Sequence, residues 1–154
     1  MKLVMRPVFE ADFAAICEIE KRAFEDPWPK EAFTDFLCQN SWLLELEGKV
    51  VGYIFYHVAM DEAVIINFAI DPIHQRSSYG SYLLKRSMQI LIDQGIRYFY
   101  LDVRRSNEKA IALYHKMGFQ TLGFRKNYYH QPPEDAIVMG MQIPDGAAEE
   151  QNDL

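Results

Sequence analysis

The segment from Asn67 to Phe119 holds the residues whose type and placing bear on chemistry. Gln75-Arg76-Ser77-Ser78-Tyr79-Gly80 is polar, follows an apolar run and opens a helical pattern. The first turn of a helix leaves backbone N–H groups without intrahelical partners, and these groups, together with the helix dipole, attract phosphate oxygens. The same segment also reads as an ordinary serine-capped helix start that binds nothing. Further on, Asp102 lies in a second strand-like run, Asn107 stands where a helix would be capped, and Tyr114 follows on that helix.

Other chemistries find little support. Cys17 and Cys38 lack the spacing of a redox or metal pair and are too few for a disulfide scaffold, which points to a reducing compartment. Both fall in helical patterns, where a small buried hydrophobe is the plain reading. His57, His74, His115 and His130 show no metal-ligand spacing, so no metal is expected. The formal net charge of -6 argues against a general nucleic-acid binder, which needs a basic face, and suits a basic protein or amine as partner. The N-terminus has no long apolar stretch or small-residue cleavage site. The run from Val50 to Met60 is interrupted by Gly52 and His57 and falls well short of the roughly 20 residues of a membrane helix. A cytoplasmic protein with no membrane partner is therefore expected.

The elements that must position these residues follow from periodicity and breakers. Leu3–Val8 reads as a strand and Glu10–Phe24 as a helix with Phe13, Ile16, Ile19 and Phe24 inward. Asp26-Pro27-Trp28-Pro29 breaks it, and a short helix carries Phe33, Phe36 and Leu37. Trp42–Leu46 and Val50–Ala59 form a hairpin around Glu47-Gly48-Lys49. Ala63–Ile70 is a mostly apolar strand, expected to be covered on both faces. A polar loop, His74–Gly80, leads to an amphipathic helix with Leu83, Leu84, Met88 and Leu91, closed by Gly95. Arg97–Val103 is a strand; Asn107 caps a helix with Ile111, Tyr114 and Met117 that stops at Gly118. Phe119–Tyr129 and Asp135–Ile143 make a final strand pair. The central strand–helix–strand crossover implies two parallel neighbours with antiparallel strands on both sides.

The ordered set from Asn67-Phe68-Ala69-Ile70-Asp71-Pro72 through Ser106-Asn107 and Ala110-Ile111-Ala112-Leu113-Tyr114 to Met117-Gly118-Phe119 resembles the GCN5-related N-acetyltransferase (GNAT) superfamily. Phe24 to Trp28, Asn127-Tyr128-Tyr129 and Glu134-Asp135-Ala136-Ile137-Val138-Met139 are similar to the RimI group within it, the bacterial ribosomal-protein-alanine N-acetyltransferases. The resemblance spans about Met5 to Ile143. It implies an α/β GNAT fold: a central mixed, mostly antiparallel sheet with a parallel pair of strands at the cofactor cleft, flanked by about four helices. Residues 1–143 would form that acetyltransferase domain, and 144–154 an acidic flexible tail.

The resemblance also implies roles. Acetyl-CoA is the co-substrate. The main chain of Phe68, Ala69 and Ile70 would pair with its pantetheine arm, and Gln75, Arg76, Ser77, Ser78, Tyr79, Gly80 and Ser81 would hold its pyrophosphate. Ser78 stands where the family usually has glycine; if that position needs a positive φ, serine costs on the order of 1 kcal/mol there, and if it needs only close approach, serine adds a hydroxyl donor. Asn107 would hydrogen-bond the arm, serve as a plain N-cap, or do both. Tyr114 matches the family's general acid in position and neighbours and would line the acetyl-CoA site, with a core tyrosine on an amphipathic helix as the alternative. Asp102 replaces the glutamate base of the RimI group; its shorter arm calls for an intervening water, or it merely anchors the following loop.

On the acceptor side, Trp28, Tyr128 and Tyr129 are expected on loops flanking a peptide N-terminus, with local hydrophobic closure as the alternative for all three. Glu134 and Asp135 would attract a cationic amine or form a solvated turn. A peptide α-amine has a pKa of about 7.7–8.0 against about 10.4 for lysine, so its neutral form is roughly 3 kcal/mol more accessible at pH 7 and asks less of a short base. The implied partner is a protein N-terminus, an alanine of a small-subunit ribosomal protein, with no direct nucleic-acid contact; the chain is expected as a monomer or weak dimer. A lysine-directed or small-amine acetyltransferase and an acetyl-CoA-binding module with little catalysis are the alternatives.

Overall fold

Turn residues and apolar periodicity place the elements close to where the sequence puts them. The structure, a computed structural model, describes residues 2–35, 39–75 and 78–145. In chain order they form β1 (Leu3–Pro7), a 3-10 turn (Glu10–Asp12), α1 (Phe13–Ala23), α2 (Lys30–Asp35), β2 (Ser41–Leu46), β3 (Lys49–Ala59) and β4 (Glu62–Ile70). A second 3-10 turn (Pro72–His74), α3 (Tyr79–Asp93), β5 (Tyr98–Arg104), α4 (Glu108–Met117), β6 (Gln120–His130) and β7 (Pro133–Gln142) complete the chain. The seven strands order as β1-β2-β3-β4-β5-β7-β6. β4 and β5 run parallel, with Glu62 opposite Tyr98 and Ile65 opposite Leu101. β1–β2, β2–β3, β5–β7 and β6–β7 are antiparallel. This is the mixed α/β architecture the sequence predicts.

Several boundaries differ for identifiable reasons. The first helix opens as a 3-10 turn because the Asp12 carboxylate, held by Arg6 at 2.8 Å, accepts the Phe9 N–H and tightens the entry. The polar loop expected over His74–Gly80 is shorter: Asp71 caps the 3-10 turn through the Ile73 N–H, and Tyr79, Gly80 and Ser81 already belong to the first turn of α3. Tyr128 and Tyr129 lie in β6, as the strand expected over Phe119–Tyr129 has them and not on the loop expected for the acceptor side. The ladder breaks between Arg125 and Tyr129, where Asn127 takes a φ of 51°, and resumes with Tyr129 opposite Glu134. Phe36, Leu37, Cys38, Arg76, Ser77 and the segment 146–154 of the expected tail lie outside the described residues. No helix among the described residues is long and apolar enough to cross a membrane.

The chain divides into two compact units. Met1–His57 with Ile66–Leu84 forms the first. Its core gathers Phe13, Ile16 and Ile19 of α1, Phe33 of α2, Leu43 of β2, Tyr53 and Phe55 of β3 and Ala69 of β4. Gly52 permits close approach here: a Cβ would come within 2.4 Å of the Ile70 Cδ1 and 3.0 Å of the Ala69 carbonyl oxygen. In β4, Asn67 and Ala69 are buried while Ile66 and Phe68 are half-buried, so one face is less covered than the apolar run suggests.

The second unit comprises Val58–Ile65 and Lys85–Leu154. β5 alternates, with Phe99, Leu101 and Val103 buried and Tyr100, Asp102 and Arg104 on the half-covered face. α4 begins at Asn107, whose Oδ1 accepts the Ala110 N–H at 3.2 Å. It ends at Gly118, where a φ of 108° gives the left-handed C-cap that glycine adopts without steric cost.

Candidate active site

The parallel ladder takes in Glu62–Ile65 of β4, within the second unit, while Phe68, Ala69 and Ile70, farther along the same strand, belong to the first. These are the three residues whose main chain the family resemblance assigns to an extended ligand. Gln75 Nε2 donates to the Ile70 carbonyl at 3.1 Å, tying the loop start back to the strand end. The Ser78 carbonyl accepts the Tyr82 N–H at 3.0 Å, which puts Ser78 at the N-cap of the fifteen-residue α3. The chemistry of this donor set fits a pyrophosphate: the N–H groups of the first turn of a long helix favour anions.

Trp28, expected on the acceptor side, lies in the first unit, in the loop between α1 and α2. It is half-buried against the core, its ring 5.4 Å from that of Phe33. A residue the sequence does not single out holds the loop. Glu20 of α1 is 1% exposed. Its Oε2 accepts the Trp28 backbone N–H at 3.0 Å, and its Oε1 accepts the Tyr53 hydroxyl at 2.6 Å and Asn67 Nδ2 at 2.8 Å. Burial, with Glu20 alongside, pushes the Tyr53 phenol far above its ordinary value, so it stays a donor.

On the second unit, Tyr114 of α4 is buried at 6% exposure, its ring 5.6 Å edge-on to Phe119. Burial, and secondarily Tyr129, raise its pKa well above the ordinary phenol value. A phenol so placed is protonated throughout the working pH range and is a proton donor rather than a base. Asp102 is half-buried, and its Oδ1 accepts Arg125 Nε at 3.1 Å. The carboxylate identified as the candidate base is thus engaged by a cation that the sequence gives no reason to pair with it.

The β6–β7 hairpin is held from β5. Arg104 Nη1 donates to the Pro132 carbonyl at 2.9 Å and to Glu134 Oε1 at 3.2 Å, and Nη2 to the Gln131 carbonyl at 3.0 Å. Its guanidinium lies 4.2 Å from the centre of the Tyr129 ring. Tyr129 is half-buried, and burial together with the nearby Asp102 and Tyr128 pushes its phenol up to about 12, with Arg104 acting the other way. The Tyr128 ring meets Tyr129 edge-on at 5.1 Å. Glu134 accepts the Ser106 N–H, and Asp135 accepts the Asn127 N–H at 2.9 Å and lies 3.9 Å from Arg105. Glu134 and Asp135, read as an amine attractant or a solvated turn, are thus engaged in hydrogen bonds within the hairpin and to the loop after β5.

In this way Asp102, Tyr114, Tyr128, Tyr129, Glu134 and Asp135 fall in one unit with Asn107, and Trp28, Phe68–Ile70, Gln75 and Ser78–Ser81 fall in the other. Sequence reasoning missed Glu20, Asn67, Arg104 and Arg125. A glutamate amid the apolar positions of α1 was the one available signal, since Glu20 follows the inward-facing Ile19.

Residues 13–119 match the model of the acetyltransferase (GNAT) family, and the chain belongs to that family. It is an N-acetyltransferase by that membership and by its relatives. It is 36% identical over 136 residues to the [ribosomal protein bS18]-alanine N-acetyltransferase of Escherichia coli (strain K12), covering 86% of this chain and 92% of that one. The enzyme of the same name from Salmonella typhimurium (strain LT2) matches at the same identity and coverage. The crystal structure of the ribosomal-protein-S18-alanine N-acetyltransferase from Escherichia coli superposes with a TM-score of 0.87 at 34% identity, over 92% of this chain and 94% of that chain.

Proposed function

We propose that the protein transfers acetyl from acetyl-CoA to the α-amine of a protein N-terminus, the alanine of small-subunit ribosomal protein bS18, in the cytoplasm. The observation that carries this reading is likeness along nearly the whole chain to enzymes named for that reaction, 36% identical over 86% of the residues. Phe68, Ala69 and Ile70 would present main-chain groups to the pantetheine arm, with Asn107 donating to it. Gln75 to Ser81 would hold the pyrophosphate at the start of α3. Trp28, Tyr128 and Tyr129 would flank the peptide N-terminus, and Glu134 and Asp135 would add negative potential while fixing the hairpin.

Acetyl-CoA supplies the activated thioester. The neutral α-amine attacks its carbonyl carbon directly, the new C–N bond forms and the C–S bond breaks. Asp102 takes the amine proton through a water, after giving up its contact with Arg125. Tyr114 delivers a proton to the departing thiolate. Its raised pKa supports this role, because the proton is present at every working pH. No metal is required by this route.

The test uses acetyl-CoA with two peptides, one beginning with a free alanine and one with a blocked N-terminus and internal lysines. Thiol release and mass spectrometry should locate acetyl on the alanine α-amine alone; transfer to lysine would retain the enzyme class and discard this acceptor. Tyr114→Phe should retain acetyl-CoA binding and lose roughly 10²-fold in kcat, the lower range for general acid catalysis. An unchanged kcat would return Tyr114 to a packing role.

A further inference from the structure

Glu20 is chemically conspicuous because it is a buried carboxyl group met by neutral donors from three different elements. Trp28 donates from the α1–α2 loop, Tyr53 from β3 and Asn67 from β4. A carboxylate is the side chain that accepts several donors and offers none, so it fills this position where glutamine would face one donor with another. Leaving a buried donor unmade costs more than a hydrogen bond ordinarily contributes, which gives the arrangement one preferred geometry. Asn67 immediately precedes Phe68 on β4, and Trp28 is the loop residue whose backbone the second carboxylate oxygen fixes.

We propose that Glu20 is a positioning residue for the acceptor: its carboxylate sets the α1–α2 loop at Trp28 in register with the strand residue beside Phe68. This rests on the reading of Trp28 as part of the acceptor side. Glu20 touches no reacting atom and acts through Trp28 and Asn67. Its effect therefore belongs in the KM of the acceptor and not in the affinity for acetyl-CoA. Ordinary core burial of Glu20 would instead shift both together through loss of folded protein.

The informative variant is Glu20→Gln, which keeps size and shape. Its amide can keep the oxygen toward Trp28 only by turning its NH₂ toward Asn67 and Tyr53. Asn67→Asp alone sets two carboxylates against each other. The double variant E20Q/N67D restores a donor facing an acceptor between these positions, while the amide oxygen introduced at position 20 still receives the Trp28 N–H.

Steady-state kinetics with the alanine peptide, acetyl-CoA titration calorimetry and circular dichroism would be run on wild type and these three variants. The expected result is a peptide KM raised roughly five- to tenfold in E20Q, the size of about one lost hydrogen bond, with acetyl-CoA Kd and the spectrum unchanged. Asn67→Asp should be worse, and the double variant should recover most of the loss. An unchanged KM in E20Q, or equal effects on peptide KM and acetyl-CoA Kd, or no recovery in the double variant, would overturn the proposal. If the wild type acetylates lysine or a small amine instead, the N-terminal reading fails alone, and the same comparison of KM values with that acceptor decides the role of Glu20. A wild type that acetylates no amine overturns both.

Discussion

Glu20 and Glu134 each tie a connecting segment to strands, and they do so by opposite means. Glu20 is sealed from water and satisfied by three neutral donors. Glu134 is partly exposed and meets a guanidinium, Arg104, and the Ser106 N–H. The first arrangement is insensitive to salt and intolerant of substitution, because any loss strands donors where no water can replace the partner. The second is screened by ions and repaired by solvent, and its strength lies in the fork of one arginine that also holds two backbone carbonyls and the face of Tyr129. The same side-chain type therefore makes a rigid joint in one unit and an adjustable one in the other.

The largest effect that tests this contrast is Glu20→Leu. It leaves the Tyr53 hydroxyl, the Asn67 amide and the Trp28 N–H without their acceptor and should lower stability by on the order of 3 kcal/mol in urea denaturation. That loss should be the same in low salt and in about 1 M salt, of the order that screens exposed charges. A loss that fell away with salt would erase the contrast.

Next in size is Arg104→Lys. A single ammonium cannot hold the Gln131 and Pro132 carbonyls, Glu134 and the Tyr129 face together. The expected outcome is a peptide KM raised about three- to tenfold, with acetyl-CoA Kd within about twofold, worth roughly 1 kcal/mol. Equal weakening of both ligands would show that Arg104 holds the second unit as a whole and not the hairpin.

The smallest effect is the pH dependence of Glu134. Hydrogen bonds from Ser106, and then Arg104, hold its carboxyl below the ordinary glutamate range. A carboxyl depressed in the folded state contributes stability that is fully present above its unfolded value of about 4.3 and is lost as pH falls through the lower folded value. The stability gap between wild type and Glu134→Gln should therefore hold level from about pH 8 to about pH 5 and close below about pH 4. A gap unchanged down to about pH 2 would mean that the carboxylate charge is not what Arg104 and Ser106 recognise.

Much of the site was legible locally. Asn107 and Gly118 bracket α4 because an asparagine side chain can cap a helix start and glycine tolerates the left-handed turn, and both effects act within a few residues. The order of elements from β4 to α4, and with it the acetyltransferase family, was carried by contiguous motifs. Periodicity carries the final strand to Tyr129, against the loop expected for Tyr128 and Tyr129 on the acceptor side, but the irregularity between Arg125 and Tyr129 was not legible because it depends on the partner strand, where Asp135 of β7 takes up the Asn127 N–H.

The sequence alone determined which segments become helix or strand, and which residues are candidates to offer a phenol, a carboxylate or a run of helix N–H groups. Tertiary structure alone decided how the charges and buried polar groups are matched. Glu20 finds Tyr53 and Asn67, Asp102 finds Arg125, and Arg104 finds Glu134 across separations of 33, 47, 23 and 30 residues. Local propensity acts over one or two turns of chain, whereas the choice of a distant partner depends on strand register and on which side of a strand each residue faces, and these exist only once the sheet has formed.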